Sequence, residues 1–138
     1  MRCVLAVVVG VTLGNALYYA LAFGVLQPIQ RASGTSPEAW LGVAFHGLMP
    51  LSLFAGGVLT GYLSRPIPPL SRGFAILRAP GLYTFLIGLP LIRNTLPGFQ
   101  VFMIVAGFIW IVSSTAGVLL GARWHRRAAG AAETYGMG

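Results

Sequence analysis

A chain of 138 residues with 57% hydrophobic and only 8% charged side chains has too little polar surface to enclose a water-soluble domain, so its solvent is the bilayer. All nine basic residues are arginine, which excludes Schiff-base lysine chemistry and a phosphate-loop lysine, and the single Cys3 has no partner for an internal disulfide. The formal net charge of +7 lies at membrane boundaries, where anionic headgroups and not nucleic acid are the expected partner.

The first apolar run, residues 3–26, is uncharged and about 36 Å long as a helix, enough to span with tilt. An alternative is a secretory signal peptide, with Arg2 as its basic start and Ala20, Leu21 and Ala22 as a cleavage site, but the run is long for that role. A second span is predicted over 40–64. Before it, "TSPEAW" supplies a helix start, with Ser36 as cap, Pro37 at the first position and Glu38 facing the positive helix end. The connecting stretch "RPIPPLSRGFAILR" at 65–78 is proline-rich and extended at first, then basic and amphipathic, as expected of a segment on the inner leaflet.

The third span is the weakest. Its uncharged part, 79–92, covers about 21 Å of a core of about 30 Å, and only with Arg93 snorkelling does a span over 79–96 come to about 27 Å. The fourth covers 98–122. The reading is thus an all-α integral membrane protein with four transmembrane helices in one domain, 1–127, and a disordered alanine- and glycine-rich tail at 128–138. Arg2, Arg65, Arg72, Arg78, Arg123, Arg126 and Arg127 fall on one side of this topology, and Arg31 and Arg93 on the other. By the positive-inside rule both termini are cytoplasmic, and the expected location is a bacterial cytoplasmic membrane.

An internal similarity accompanies the four spans. "LYYALAFGVLQPIQR" at 17–31 resembles "LYTFLIGLPLIR" at 82–93, and "AGGVLTGYLSR" at 55–65 resembles "AGVLLGARWHR" at 116–126. A duplicated helix pair, inserted twice in the same direction, explains both matches, with Pro28 and Pro90 ending the outgoing helices. The small alphabet of membrane helices offers a chance explanation.

Few residues carry chemistry. His46 lies well inside the second span, and Pro50, four residues on, lacks the N–H that would meet the His46 carbonyl. Asn15, Tyr18 and Tyr19 fall at a similar depth, forming a candidate polar cluster with His46. Interhelical hydrogen bonding is one account of that cluster. The other is a binding site in which His46, following the "GVAF" stretch with its Gly42, gives one axial ligand to a haem or chlorophyll-type pigment; no cofactor is expected on firmer ground, and His125 lies at the far end of the bilayer. Arg31 and Arg93 are candidates to grip an anionic headgroup or solute, or else simple interfacial anchors. Glu38 and Glu133 form no acid/base pair inside the bundle, and no catalytic or metal-ligating set has the needed spacing.

Small residues repeat at four along three helix faces: Gly10 and Gly14; Gly57 and Gly61; Ser113, Gly117 and Gly121. The last row is expected to point outward and meet another chain, the alternative being an internal contact with Gly57 and Gly61. Few polar groups and many packing faces point to a non-enzymatic accessory or assembly subunit. Its expected partners are the bilayer, other membrane protein chains or copies of itself, and anionic headgroups at the cytoplasmic face. The repeat, the proline in the second span and the short third span point instead to a small oligomeric transporter or channel for a small solute or ion.

Overall fold

The computed structural model describes residues 2–64 and 69–136, apart from the side chains at 69–72 and 133–135. Every regular element among them is helical. Three helices are long and apolar enough to cross a membrane: α1 over Arg2–Ser33, α2 over Pro37–Leu63, and the Pro97–Ala132 part of α4, which itself runs over Pro97–Tyr135. Between α2 and α4 lie a 3-10 segment, Pro69–Arg78, and a short helix α3, Pro80–Arg93.

Several boundaries depart from the sequence expectation, each for a local reason. Helix α1 does not stop at Pro28; it passes through a π-helical turn, Ala22–Leu26, and ends at Gly34 in the left-handed conformation that glycine adopts without a Cβ clash. The same device recurs in α2, where the π turn Val43–Leu48 ends two residues before Pro50. A widened turn absorbs a proline because it draws the ring away from the carbonyl four residues back. Ser36 does occupy the N-cap of α2 in extended backbone, but its side chain makes no capping hydrogen bond. The tail expected to be disordered after Arg127 continues α4 as helix to Tyr135, in keeping with the high helix propensity of Ala128, Ala129, Ala131 and Ala132.

Helix α3 is shorter than the span expected over 79–96. Its 14 residues amount to about 21 Å, and Pro90 sits inside it without ending it. Contacts give its direction: Pro80 lies against Gly10 and Thr84 against Asn15, so α3 runs parallel to α1. It is antiparallel to α4, with Gly81 beside Ser114 and Phe85 beside Gly107. Helices α2 and α4 are parallel to each other, since Phe45 meets Trp110 and Tyr62 meets His125. Leu63 and Pro97 therefore lie at opposite ends of the bundle, and residues between them return the chain along its length.

The bundle is packed in two different ways along its axis. In the half nearer the 34–36 turn, Tyr18, Met49, Leu53, Ile92, Met103 and Trp110 form a core of large side chains, with Phe45, Phe85, Phe99 and Phe102 against it. Toward the other end the helices approach until backbones touch. A methyl added at Gly61 would fall on the Val118 carbonyl oxygen, and one at Gly121 on the Val58 carbonyl oxygen. One at Gly10 would meet Thr60, and at Gly14 a methyl would lie 3.3 Å from Leu53. Gly57 is equally close to Ser114, and Gly117 to Phe54. The row Ser113, Gly117 and Gly121, expected to face another chain, is thus turned inward against α2. Side-chain-free surfaces on two helices fit each other best, because neither leaves a gap for lipid to fill.

Candidate functional site

The π turn in α2 brings together a helix irregularity, polar side chains and aromatic rings. Met49 N–H reaches back five residues to the Ala44 carbonyl. In that register the Phe45 carbonyl faces the nitrogen of Pro50, which carries no hydrogen. The indole of Trp110 on α4 replaces the missing donor, with Nε1 2.7 Å from the Phe45 oxygen. A second tie lies one turn on, where Ser113 Oγ donates to the Pro50 carbonyl at 2.7 Å. The carbonyl for which a replacement donor is seen is therefore that of Phe45, one residue earlier than the His46 carbonyl that α-helical spacing indicates. The shift by one is the π register itself.

His46 is half-buried, and its ring meets Phe102 edge to face with centroids 4.5 Å apart. The other members of the sequence cluster have different surroundings. Asn15 donates from Nδ2 to the Val11 carbonyl at 2.8 Å and to Thr84 Oγ1 on α3 at 3.0 Å. Tyr18 is buried against Phe45, centroids 6.3 Å apart, whereas Tyr19 is exposed and stacks on Phe23. Asn15 turns to α3, Tyr18 to α2 and His46 to α4, and of the four only Tyr18 and Tyr19 are seen to meet, edge to face with centroids 5.4 Å apart. His125 packs edge-on against Tyr62 at the arginine-rich end.

Arg31 and Arg93 are both exposed at the opposite end. Arg93 borders an open-sided cavity of about 790 Å³ between α3 and α4, together with Leu86, Asn94, Gln100 and Ile104; Arg31 is not among its lining residues. Gln100 is engaged there as a connector, donating from Nε2 to the backbone carbonyls of Arg93 and Thr95 at 3.1 and 3.0 Å. Among the described residues no three His, Cys, Asp or Glu side chains lie close enough to share a metal ion. Compared with known families, curated proteins and solved structures, the chain matches none of them.

The residues that sequence reasoning passed over are the interhelical hydrogen-bond partners: Trp110 and the Ser113 hydroxyl as donors to α2, Thr84 as acceptor from Asn15, and Ser114 as acceptor from the Gly81 N–H. One signal pointed to Trp110. A proline inside a span leaves a carbonyl in need of a donor from another helix, and in hydrocarbon water does not supply it.

His46 gives a discriminating measurement. An edge-to-face ring pair contributes about 0.5–1.5 kcal/mol beyond its buried area, so His46→Leu is expected to lower stability toward denaturing detergent by about 1 kcal/mol. His46→Phe keeps a ring against Phe102 and is expected to restore most of it. If His46→Phe instead removes a visible absorption band from the purified protein, the imidazole is a ligand and the packing account fails.

Proposed function

We propose that this protein is a four-span, non-enzymatic accessory or assembly subunit that acts through its lateral surface within the membrane. The observation that supports this reading is where the interhelical polar groups go. Thr60 donates to the Ala6 carbonyl, Asn15 to Thr84, Trp110 to Phe45, Ser113 to Pro50 and the Gly81 N–H to Ser114 Oγ. These groups hold helix to helix and so are committed to the scaffold. Large apolar side chains such as Val4, Leu13, Phe23, Ile87, Phe108 and Val112 cover the outside.

The four-crossing topology rests on direction. The parallel pair α2 and α4 requires a return between Leu63 and Pro97, and the 3-10 segment followed by α3 is the chain that makes it. The duplicated-pair reading draws on the same pattern, since α1 runs with α3 and α2 with α4. In a background with Cys3 replaced, single cysteines at Ser33 and Ser71 are expected to label from opposite sides of sealed vesicles; labelling from one side would remove the four-span topology.

A transporter remains the second reading, for one specific reason. The third crossing is discontinuous, and α3 begins beside Gly10 and Ser114, with its Gly81 N–H held by Ser114 Oγ at 3.0 Å. Half-helices that start inside the bilayer are a feature of transporter sites. Purification from native membranes in mild detergent separates the readings. Co-migration with a different membrane protein at fixed stoichiometry is expected of an accessory subunit. A lone or self-associated chain that carries solute flux in reconstituted vesicles would replace that reading with the second, and a lone monomer without flux would reject both.

A further inference from the structure

The face of α1 that does not meet α2 forms one wall of a second cavity, of about 400 Å³, whose other wall is the junction of the 3-10 segment with α3. Its shape follows from the break in the third crossing. At Ala79 the backbone is extended and the chain changes from 3-10 to α-helix, with Leu77 and Arg78 on one side of the change and Tyr83 and Ile87 on the other lining the groove. Tyr83 in the first turn of α3 folds back and donates its hydroxyl to the Leu77 carbonyl at 2.7 Å, which fixes the junction.

The two ends of this groove differ in chemistry. Along α1 it is lined by Val4, Val7, Val8 and Val11, and facing them stands Ile87. At the end nearer the N-terminus it is bordered by Cys3 and Arg78. Arg78 is half-buried and steadied by Ser64, whose Oγ accepts from Nη1 at 3.4 Å. Ser64 follows the last residue of α2, where a cation also meets the negative helix end. This is the end of the bundle that carries Arg2 and, on α4, Arg123, Arg126 and Arg127. From Cys3 to Val11 a helix rises about 12 Å, close to the hydrocarbon depth of one leaflet, about 15 Å.

We propose that this groove binds one anionic phospholipid of the arginine-rich leaflet, with an acyl chain along Val4–Val11 and the phosphate at the Arg78 guanidinium. Charge and length together select this occupant. A planar guanidinium matches phosphate oxygens in pairs, and an acyl chain fills an apolar channel that is open to the membrane along its side. The groove is thus a lipid seat on the lateral surface, independent of whether the protein works as a subunit or as a transporter.

The test is native mass spectrometry of the full chain released from mild detergent, doped with phosphatidylglycerol or phosphatidylcholine of matched chains. The wild type is expected to retain one phosphatidylglycerol in preference to phosphatidylcholine. Arg78→Gln should reduce that preference about fivefold, the effect of one basic side chain at a membrane surface, while Arg78→Lys keeps most of it. Val8→Trp fills the groove from α1 and should abolish retention of both lipids. Arg126→Gln, at the same end on α4, should leave retention unchanged. Equal retention of the two lipids by the wild type overturns the proposal, as does a loss in Arg126→Gln as large as that in Arg78→Gln. Unchanged lipid retention in Val8→Trp accompanied by release of a co-purifying chain would show that a protein occupies the groove, and would overturn it too.

Discussion

Gly61→Ala and Gly121→Ala are each expected to destabilise the folded monomer by about 2–3 kcal/mol, the upper part of the usual range for overpacking. Alanine is the better helix former, so intrinsic propensity alone predicts the opposite sign. The reversal comes from what the new methyl meets. At Gly61 it is the Val118 carbonyl and at Gly121 the Val58 carbonyl, both backbone atoms of a neighbouring helix, which cannot rotate away as a side chain can. Relief requires α2 and α4 to move apart over the whole half nearer the arginine-rich end, where Gly57 and Gly117 lie in the same interface. Because the two sites share that interface, the double substitution should cost less than the sum, since one separation relieves both clashes. Unfolding in denaturing detergent measures the effect. Unchanged monomer stability combined with loss of a larger assembly would instead place this face at the outside of the bundle.

The second large effect is expected at Trp110. Trp110→Phe keeps a ring in the aromatic core but removes the indole N–H that reaches the Phe45 carbonyl at 2.7 Å. An orphaned polar group costs about 1–3 kcal/mol, and in hydrocarbon the upper half of that range applies because water does not replace the donor. Pro50→Ala supplies the decisive comparison. It restores an N–H at position 50, so α2 regains a donor of its own and Trp110→Phe should then cost at least about 1 kcal/mol less. Additive effects in that double-mutant cycle would mean that the indole serves only to fill space. The cycle also bears on His46, because relaxing the π turn rotates every residue before Pro50 relative to α4 and should loosen the contact with Phe102.

The long helices were legible because their apolar runs are continuous in sequence. Runs such as 3–26 and 98–122 fall in helices long and apolar enough to cross a membrane, and proline at positions 37 and 97 stands at the first residue of α2 and α4. Less legible was what proline does inside a helix. Pro28 and Pro90 were expected to end helices and do not, since a π turn before Pro28 and a surviving turn after Pro90 carry the helix on. Single-residue rules describe an isolated helix, whereas here neighbouring helices and a widened turn absorb the local cost. The candidate cluster shows what depth along a helix leaves open. Asn15, Tyr18, Tyr19 and His46 were grouped by depth, but residues at one depth on two helices converge only if both helices are rotated to face each other. In the folded bundle Asn15 faces Thr84 and His46 faces Phe102.

By itself, then, the sequence determined the helical class and the rough length and apolar character of the three long helices, because these depend on composition within a single segment. It also determined that glycine rows would let backbones approach. Only the tertiary structure decided which rows meet, that α2 and α4 run in parallel with Gly61 against Val118, and that the chain changes from 3-10 to α-helix at Ala79. Those choices depend on helix rotation and on contacts between residues more than fifty positions apart. Segment hydropathy is blind to both: turning a helix about its own axis leaves its composition unchanged and alters every neighbour it has.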